Sequence, residues 1–290
     1  MATQVMSQPS RLSPALQLSD IKGTGSGLPN RHIWHAVEGF GKTSLAAQAK
    51  SPVFAMTQGE SGLLTLIDAK RLPEVPHFPE LQTWEQMLAV VKILTNEAHE
   101  FKTFVVDTLN GAERMCHAYI RDAFFKGEQE TFLSYGKGPD VALPEWTMFL
   151  NALDRLRETR KMSIILLAHT KVKGFKNPEG PDYDRYMPDM NEKTWGLSHK
   201  WADVVLFGNF DNVILGGNVA TDDRKNRKGK ATSDAQPDRI LYAERRPAFD
   251  AKNRIGLPAS IAISGEAAAL AWADLMNAVK IARREQEGNK

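Results

Sequence analysis

The chain has 290 residues, a quarter of them charged and 42% hydrophobic, with a net charge of +2. That balance is ordinary for a globular protein of one large or two small domains, and so small a net charge does not by itself announce a nucleic-acid partner. A single cysteine, Cys116, excludes an intramolecular disulfide and any cysteine-cluster metal site and suits a reducing cytoplasm, and no run of about 18 apolar residues is present to span a membrane.

Residues 1–29 are rich in Ser, Pro, Gly and Gln, and Gly23-Thr24-Gly25-Ser26-Gly27 reads as a flexible lead-in. From Arg31 the pattern alternates short apolar strands with helical periodicity. His32-Ile33-Trp34-His35 is the first candidate strand, followed by a glycine loop and a helix over residues 43–49. Pro52-Val53-Phe54-Ala55-Met56 is the second strand. Thr83 with Gln86 has capping-box spacing, and Trp84, Met87, Leu88, Val91 and Leu94 recur at helical period behind it. Thr103-Phe104-Val105-Val106 runs into Asp107. Trp146, Phe149, Leu150, Leu153 and Leu156 mark another helix, which leads to the strand Ile164-Ile165-Leu166-Leu167-Ala168. Residues 202–207 and 239–242 are further strands. Residues 266–290 form a C-terminal helix carrying Leu270, Trp272, Leu275, Met276 and Val279, which packs on the core or on a neighbour. Apolar runs this continuous fit strands buried on both faces of a parallel sheet, and the alternation gives an α/β doubly wound fold.

The chemistry begins at Val37-Glu38-Gly39-Phe40-Gly41-Lys42-Thr43-Ser44. The phosphate-loop pattern is G-x-x-x-x-G-K-[ST], and here Ala36 replaces its first glycine. Gly39 and Gly41 let the backbone fold around an anion with its N–H groups inward. Lys42 would meet the β- and γ-phosphates of ATP, and the Thr43 hydroxyl would hold Mg²⁺. An ordinary glycine turn ahead of a helix is the alternative. Asp107 ends its strand where an acid holds the water shell of the ion, although Asp also ends strands for turn reasons. Glu60, after the second strand, is placed to orient and deprotonate water; otherwise it is a solvated loop residue. His169 follows its strand at the edge that faces the ligand crevice of an open α/β sheet, as a γ-phosphate sensor or as a plain strand-end histidine.

Two cation-rich stretches suit a polyanion. Between residues 171 and 193, Lys171, Lys173, Lys176 and Arg185 alternate with Phe175, Tyr183 and Tyr186, a mixture able to hold phosphates and stack bases. The other is Arg224-Lys225-Asn226-Arg227-Lys228-Gly229-Lys230. Either is equally readable as a solvated loop.

Over residues 31–263 the chain resembles RecA-type ATPases, specifically phage-encoded nucleotide-binding proteins with a RecA core and no large accessory domain. The residues that carry the resemblance are the loop 39–43, Glu60, Val105-Val106-Asp107-Thr108, Tyr135-Gly136-Lys137-Gly138, Leu167-Ala168-His169-Thr170 and Ala251-Lys252-Asn253-Arg254-Ile255-Gly256. The last resembles a Lys-Asn-Arg-Phe-Gly motif of RadA-type proteins, with Ile255 for Phe. The resemblance implies a RecA-like P-loop NTPase core over residues 30–265: a mostly parallel central sheet with helices on both faces. It further implies ATP and Mg²⁺ at the interfaces of a homo-oligomer, with Lys252 and Arg254 acting across to the neighbour's nucleotide, and single-stranded DNA as partner in recombination, annealing or replication. A helicase-like or loader motor and a non-hydrolysing annealing module are the alternatives.

Overall fold

In the computed structural model the described residues are 17–21, 27–210, 214–215, 230–231, 239–263 and 268–288. In chain order they run through a short 3-10 turn (Leu18–Asp20), β1 (Arg31–Ala36), α1 (Lys42–Ala46), β2 (Pro52–Met56), α2 (Gly62–Asp68), α3 (Trp84–Asn96), β3 (Thr103–Asp107), α4 (Leu109–Phe124), α5 (Gln129–Leu133), a second 3-10 turn (Ser134–Gly136) and α6 (Lys137–Arg160). Then follow β4 (Ser163–Phe175), β5 (Tyr183–Pro188), α7 (Glu192–Trp201), β6 (Val204–Phe210), β7 (Ile214–Leu215), β8 (Lys230–Ala231), β9 (Arg239–Tyr242), β10 (Lys252–Asn253), β11 (Ser260–Ile263) and α8 (Ala268–Gly288).

The α/β expectation holds. Among the described residues one nine-stranded sheet has the order β11-β9-β6-β1-β4-β3-β2, with β10 also on β6 and β5 on β4. The five strands β6-β1-β4-β3-β2 are mutually parallel, whereas β9, β10, β11 and β5 are antiparallel additions. The parallel strands read as unbroken apolar runs because each serves two cores. Ile33, Val53, Ala55, Phe104, Val106, Ile164, Leu166 and Val205 pack with α3, α4, α6 and α7 on one face. Their neighbours Trp34, Phe54, Met56, Val105, Ile165, Leu167 and Leu206 pack with α1, α2 and α8 on the other. Strand side chains alternate with period two, so such a strand needs apolar residues at every position.

The capping box at Thr83 and Gln86 starts α3 as the spacing suggests. Helix α1 is shorter than the expected 43–49. After Ala46 the backbone tightens, with Gln48 N donating to Leu45 O and Ala49 N to Ala46 O. In α8 the residues Ala271, Leu275, Ala278 and Ala282 are buried against the sheet, while Leu270, placed on the apolar face by its periodicity, is exposed.

The outer side of β2 is covered by an irregular strap over residues 76–81. Phe54 N donates to Pro76 O, Phe78 N to Phe54 O, and Leu81 N to Met56 O.

Candidate functional site

Parallel strands bring their C-terminal ends to one edge of the sheet. There β1 releases the glycine loop, β3 ends at Asp107, β2 leads to Glu60 and β4 passes through His169. With β4 between β1 and β3, the loop, the acid and the histidine converge, lining one cavity of about 440 Å³ together with Glu60, Ser44, Arg71 and Arg239.

The loop is shaped for an anion. Gly39 and Gly41 have φ of 74° and 95°, the region that favours glycine, and nothing lies within 4 Å of where a Cβ on Gly39 would stand. Lys42 Nζ donates to the Ala36 carbonyl at 3.2 Å. Burial pushes its pKa down, countered by Asp107, Glu60 and Glu38, and no carboxylate within ion-pair distance is found for it among the described residues. Val37 is a backbone member of the loop, its N–H donating to Gly208 O. Glu38 is exposed on the cavity wall. The Phe40 ring is buried, 6.1 Å from that of Phe210, which leaves its backbone as the part of it on the loop.

The two residues expected from the sequence to hold a metal ion stand together. Thr43 Oγ1 donates to Asp107 Oδ2 at 2.8 Å. Asp107 is buried, and that burial raises its pKa to about 6 despite the Thr43 hydrogen bond. A buried carboxylate beside a hydroxyl, with no cation paired to it among the described residues, is a donor set that fits Mg²⁺, a hard ion taking oxygen ligands.

Glu60 and His169 also meet. His169 Nε2 donates to Glu60 Oε1 at 3.1 Å, and Thr108 Oγ1 donates to the same oxygen at 3.2 Å. The His169 hydrogen bond holds the Glu60 carboxylate below its ordinary range. The backbone of His169 is fixed by Asn110, whose side chain accepts from His169 N at 2.7 Å and donates to Asp189 O at 2.8 Å. Thr108, Asn110, Arg71 and Arg239 are members of this site that sequence reading missed. Thr108 and Asn110 carried a signal in standing one and three residues after Asp107; Arg239 carried none, because it opens a strand.

The remaining candidates lie elsewhere. Residues 171–188 are a β-hairpin of β4 and β5, and most of its cations have partners. Lys171 pairs with Asp189 at 2.6 Å, Lys173 with Glu192, and buried Arg185 with Asp250. Phe175 packs against Tyr183 at a tilt, with centroids 5.1 Å apart, leaving Lys176 as an exposed cation beside them. Arg224, Lys225, Arg227 and Lys228 lie outside the described residues, and Lys230 is described only as backbone in β8.

Lys252 and Arg254 stand at the opposite, N-terminal edge of the sheet. Lys252 pairs across β6 with Val205, and its Nζ donates to the carbonyls of His199 and Lys200 at 2.7 and 3.0 Å, closing the end of α7. Arg254 lies 3.7 Å from Asp203 and is half exposed. Strand β10 ends at Asn253, and within this chain each side chain takes its own partner, Lys252 the two carbonyls and Arg254 the acid. That edge is an ionic cluster: Arg31, which opens β1, reaches Asp203 at 2.7 Å and Asp154 at 3.3 Å.

A family model described as an AAA domain matches residues 28–255. No curated protein matches the chain. Among solved structures, the crystal structure of the RadB recombinase is similar at 15% identity and a TM-score of 0.43, over 82% of this chain and 89% of that one. No helix among the described residues is long and apolar enough to cross a membrane.

Proposed function

This chain belongs to the AAA domain family, and from that premise we propose that it binds ATP with Mg²⁺ at the C-terminal edge of its sheet and hydrolyses it while acting on single-stranded DNA, in phage recombination, annealing or replication. The observation that carries the proposal is the convergence of Lys42, the Thr43–Asp107 pair and the Glu60–His169 pair on one cavity.

Gly39 and Gly41 hold the backbone N–H groups toward the phosphates, and Lys42 leaves the Ala36 carbonyl to meet them. Thr43 and Asp107 would hold the Mg²⁺, which supplies positive charge to the phosphate oxygens. Glu60, kept ionised by His169, is the base that orients and deprotonates water. His169 shares its proton with Glu60 and stands on the strand that continues into the β4–β5 hairpin, so it is positioned to report phosphate occupancy to that hairpin. The hairpin, through Lys171, Lys173, Phe175 and Lys176, and the basic segment with Arg224, Lys225, Arg227, Lys228 and Lys230 form the DNA contacts in this proposal. Arg254, remote from its own phosphate loop and half exposed, serves the nucleotide of a neighbouring copy, with Lys252 anchoring the turn that presents it. A homo-oligomer follows from that role, and the protein works in the cytoplasm of a bacterial host.

The test is ATP turnover with and without single-stranded DNA, in the natural protein and in Glu60→Gln. Stimulation by DNA is expected, together with a loss of about a hundredfold or more in turnover for the variant with ATP affinity kept. Wild-type turnover in Glu60→Gln removes the base assignment. Indifference to DNA favours a nucleotide-shaped annealing module, and unwinding of duplex DNA favours a motor.

A further inference from the structure

Ligand-facing residues of a parallel sheet are sought where strands end. Strand β9 runs against the five parallel strands, so its first residue reaches the same edge. Arg239 is that residue, paired in register with Phe210, the last residue of β6. Since β6 lies beside β1, with Ala36 opposite Gly208, Arg239 arrives at the loop that leaves β1.

There it meets the loop directly. Arg239 Nη1 donates to the Phe40 carbonyl at 3.1 Å. The same nitrogen lies 3.1 Å from where a Cβ on Gly41 would stand, and Arg239 lines the phosphate cavity. Phe40 is gripped from its other side as well: its ring lies so close to Gly208 that a Cβ there would come within 2.8 Å of it. A peptide that turns its N–H toward an anion must send its carbonyl the other way, and a carbonyl so turned needs a donor. Arg239 supplies one, and it carries a charge.

We propose that Arg239 is a further phosphate-site residue of this chain: it fixes Phe40 and Gly41 in the anion-cradling form of the loop and brings its own positive charge to the phosphates bound there. This rests on the phosphate-loop reading of residues 37–44. It assigns a cation in cis, distinct from Arg254 at the far edge of the sheet, so a single copy of the chain holds nucleotide with two of its own cations, Lys42 and Arg239.

The experiment measures the affinity of the full chain for ATP by calorimetry, and for inorganic pyrophosphate by competition with a fluorescent ATP analogue. Arg239→Met is expected to weaken both ligands about tenfold or more, the loss of one hydrogen bond to a charged group. Arg239→Lys keeps the charge but not the planar fork, and is expected to fall between. Should thermal melting show that Arg239→Met does not fold, Arg239→Lys decides alone: severalfold weaker binding of both ligands supports the assignment, and unchanged binding overturns it. A loss for ATP without a matching loss for pyrophosphate places Arg239 at the base or ribose and also overturns it. Lys42→Ala separates the two layers. If it retains ATP affinity, the phosphate-loop reading fails; if it loses affinity while Arg239→Met binds like the natural protein, only the Arg239 assignment fails.

Discussion

The two edges of the central sheet both gather charge, and they treat it in opposite ways. At the N-terminal edge Arg31 is locked to Asp203 and Asp154, with Arg157 3.9 Å from each of the same two acids and Arg254 beside Asp203. Three arginines share two acids in that cluster, so each of these charges lies beside an opposite one, while Lys252 near them is held by two carbonyls. At the C-terminal edge Lys42 makes do with a backbone carbonyl, and Asp107 with a hydroxyl. Charges buried without counter-charges are costly to fold around. In the proposed function a phosphate would bring the missing charge to Lys42 and a cation to Asp107.

The sharpest way to break this contrast is Lys42→Ala, which is expected to lower ATP affinity by about a hundredfold or more in calorimetry. Its melting temperature should not fall, because the removed ammonium had no ionic partner to lose. At the other edge Arg31→Ala is expected to cost about 1–2 kcal/mol in urea unfolding, because it takes the nearest cation from Asp203 and Asp154 and leaves them Arg157 at 3.9 Å, while ATP affinity stays within about twofold. A shared loss of both properties in either variant would mean that the edges are not independent.

Glu113 sharpens the rule, because it is buried without a cation yet lies outside the phosphate cavity. Burial raises its pKa to about 7 although it accepts from Asn191 N; Lys171 opposes the rise and Asp189 adds to it. An acid whose folded pKa exceeds its unfolded one binds more protons when folded, so its contribution to stability is full below about pH 4.5 and is lost as pH rises through about 7. Glu113→Gln should therefore be the more stable protein at pH 8, by up to about 2 kcal/mol in urea unfolding, with little difference at pH 5. ATP affinity should be untouched; a loss there would bring Glu113 into the functional site. The smallest effect is expected of Arg254→Ala, whose exposed pairing with Asp203 contributes no more than about 0.5 kcal/mol to stability of the isolated chain. A larger fall in unfolding free energy would make Arg254 part of the structural cluster.

Much of this was readable in the residues. The parallel strands were legible because two-sided burial leaves unbroken apolar runs, as at Phe104-Val105-Val106 in β3 and Ile164-Ile165-Leu166-Leu167-Ala168 in β4, and the phosphate loop because its glycines and Lys42 follow a strand and lead into a helix. The hairpin at residues 171–188 was not, since its side chains alternate cation and aromatic while the acids that pair with them sit elsewhere in the chain. Arg239 was hidden for a topological reason: only the antiparallel sense of β9, which no local pattern encodes, turns a strand's first residue toward the ligand edge. The ionic role of Arg31 depended in the same way on Asp154 and Asp203, more than 120 residues away.

The strap along β2 bears on how the chain behaves in a crowd. An exposed β-edge offers a row of unpaired amides to any passing strand and is a route to aggregation. Here the outward N–H and C=O of Phe54 are already taken by Pro76 and Phe78, and Pro76 and Pro79 cannot themselves donate to a strand added outside them. Edge-to-edge pairing of copies through the strapped part of β2 is thereby disfavoured. Amide exchange at Phe54 should report it, with protection like that of the central strands, where an open edge would exchange at the rate of a frayed terminus.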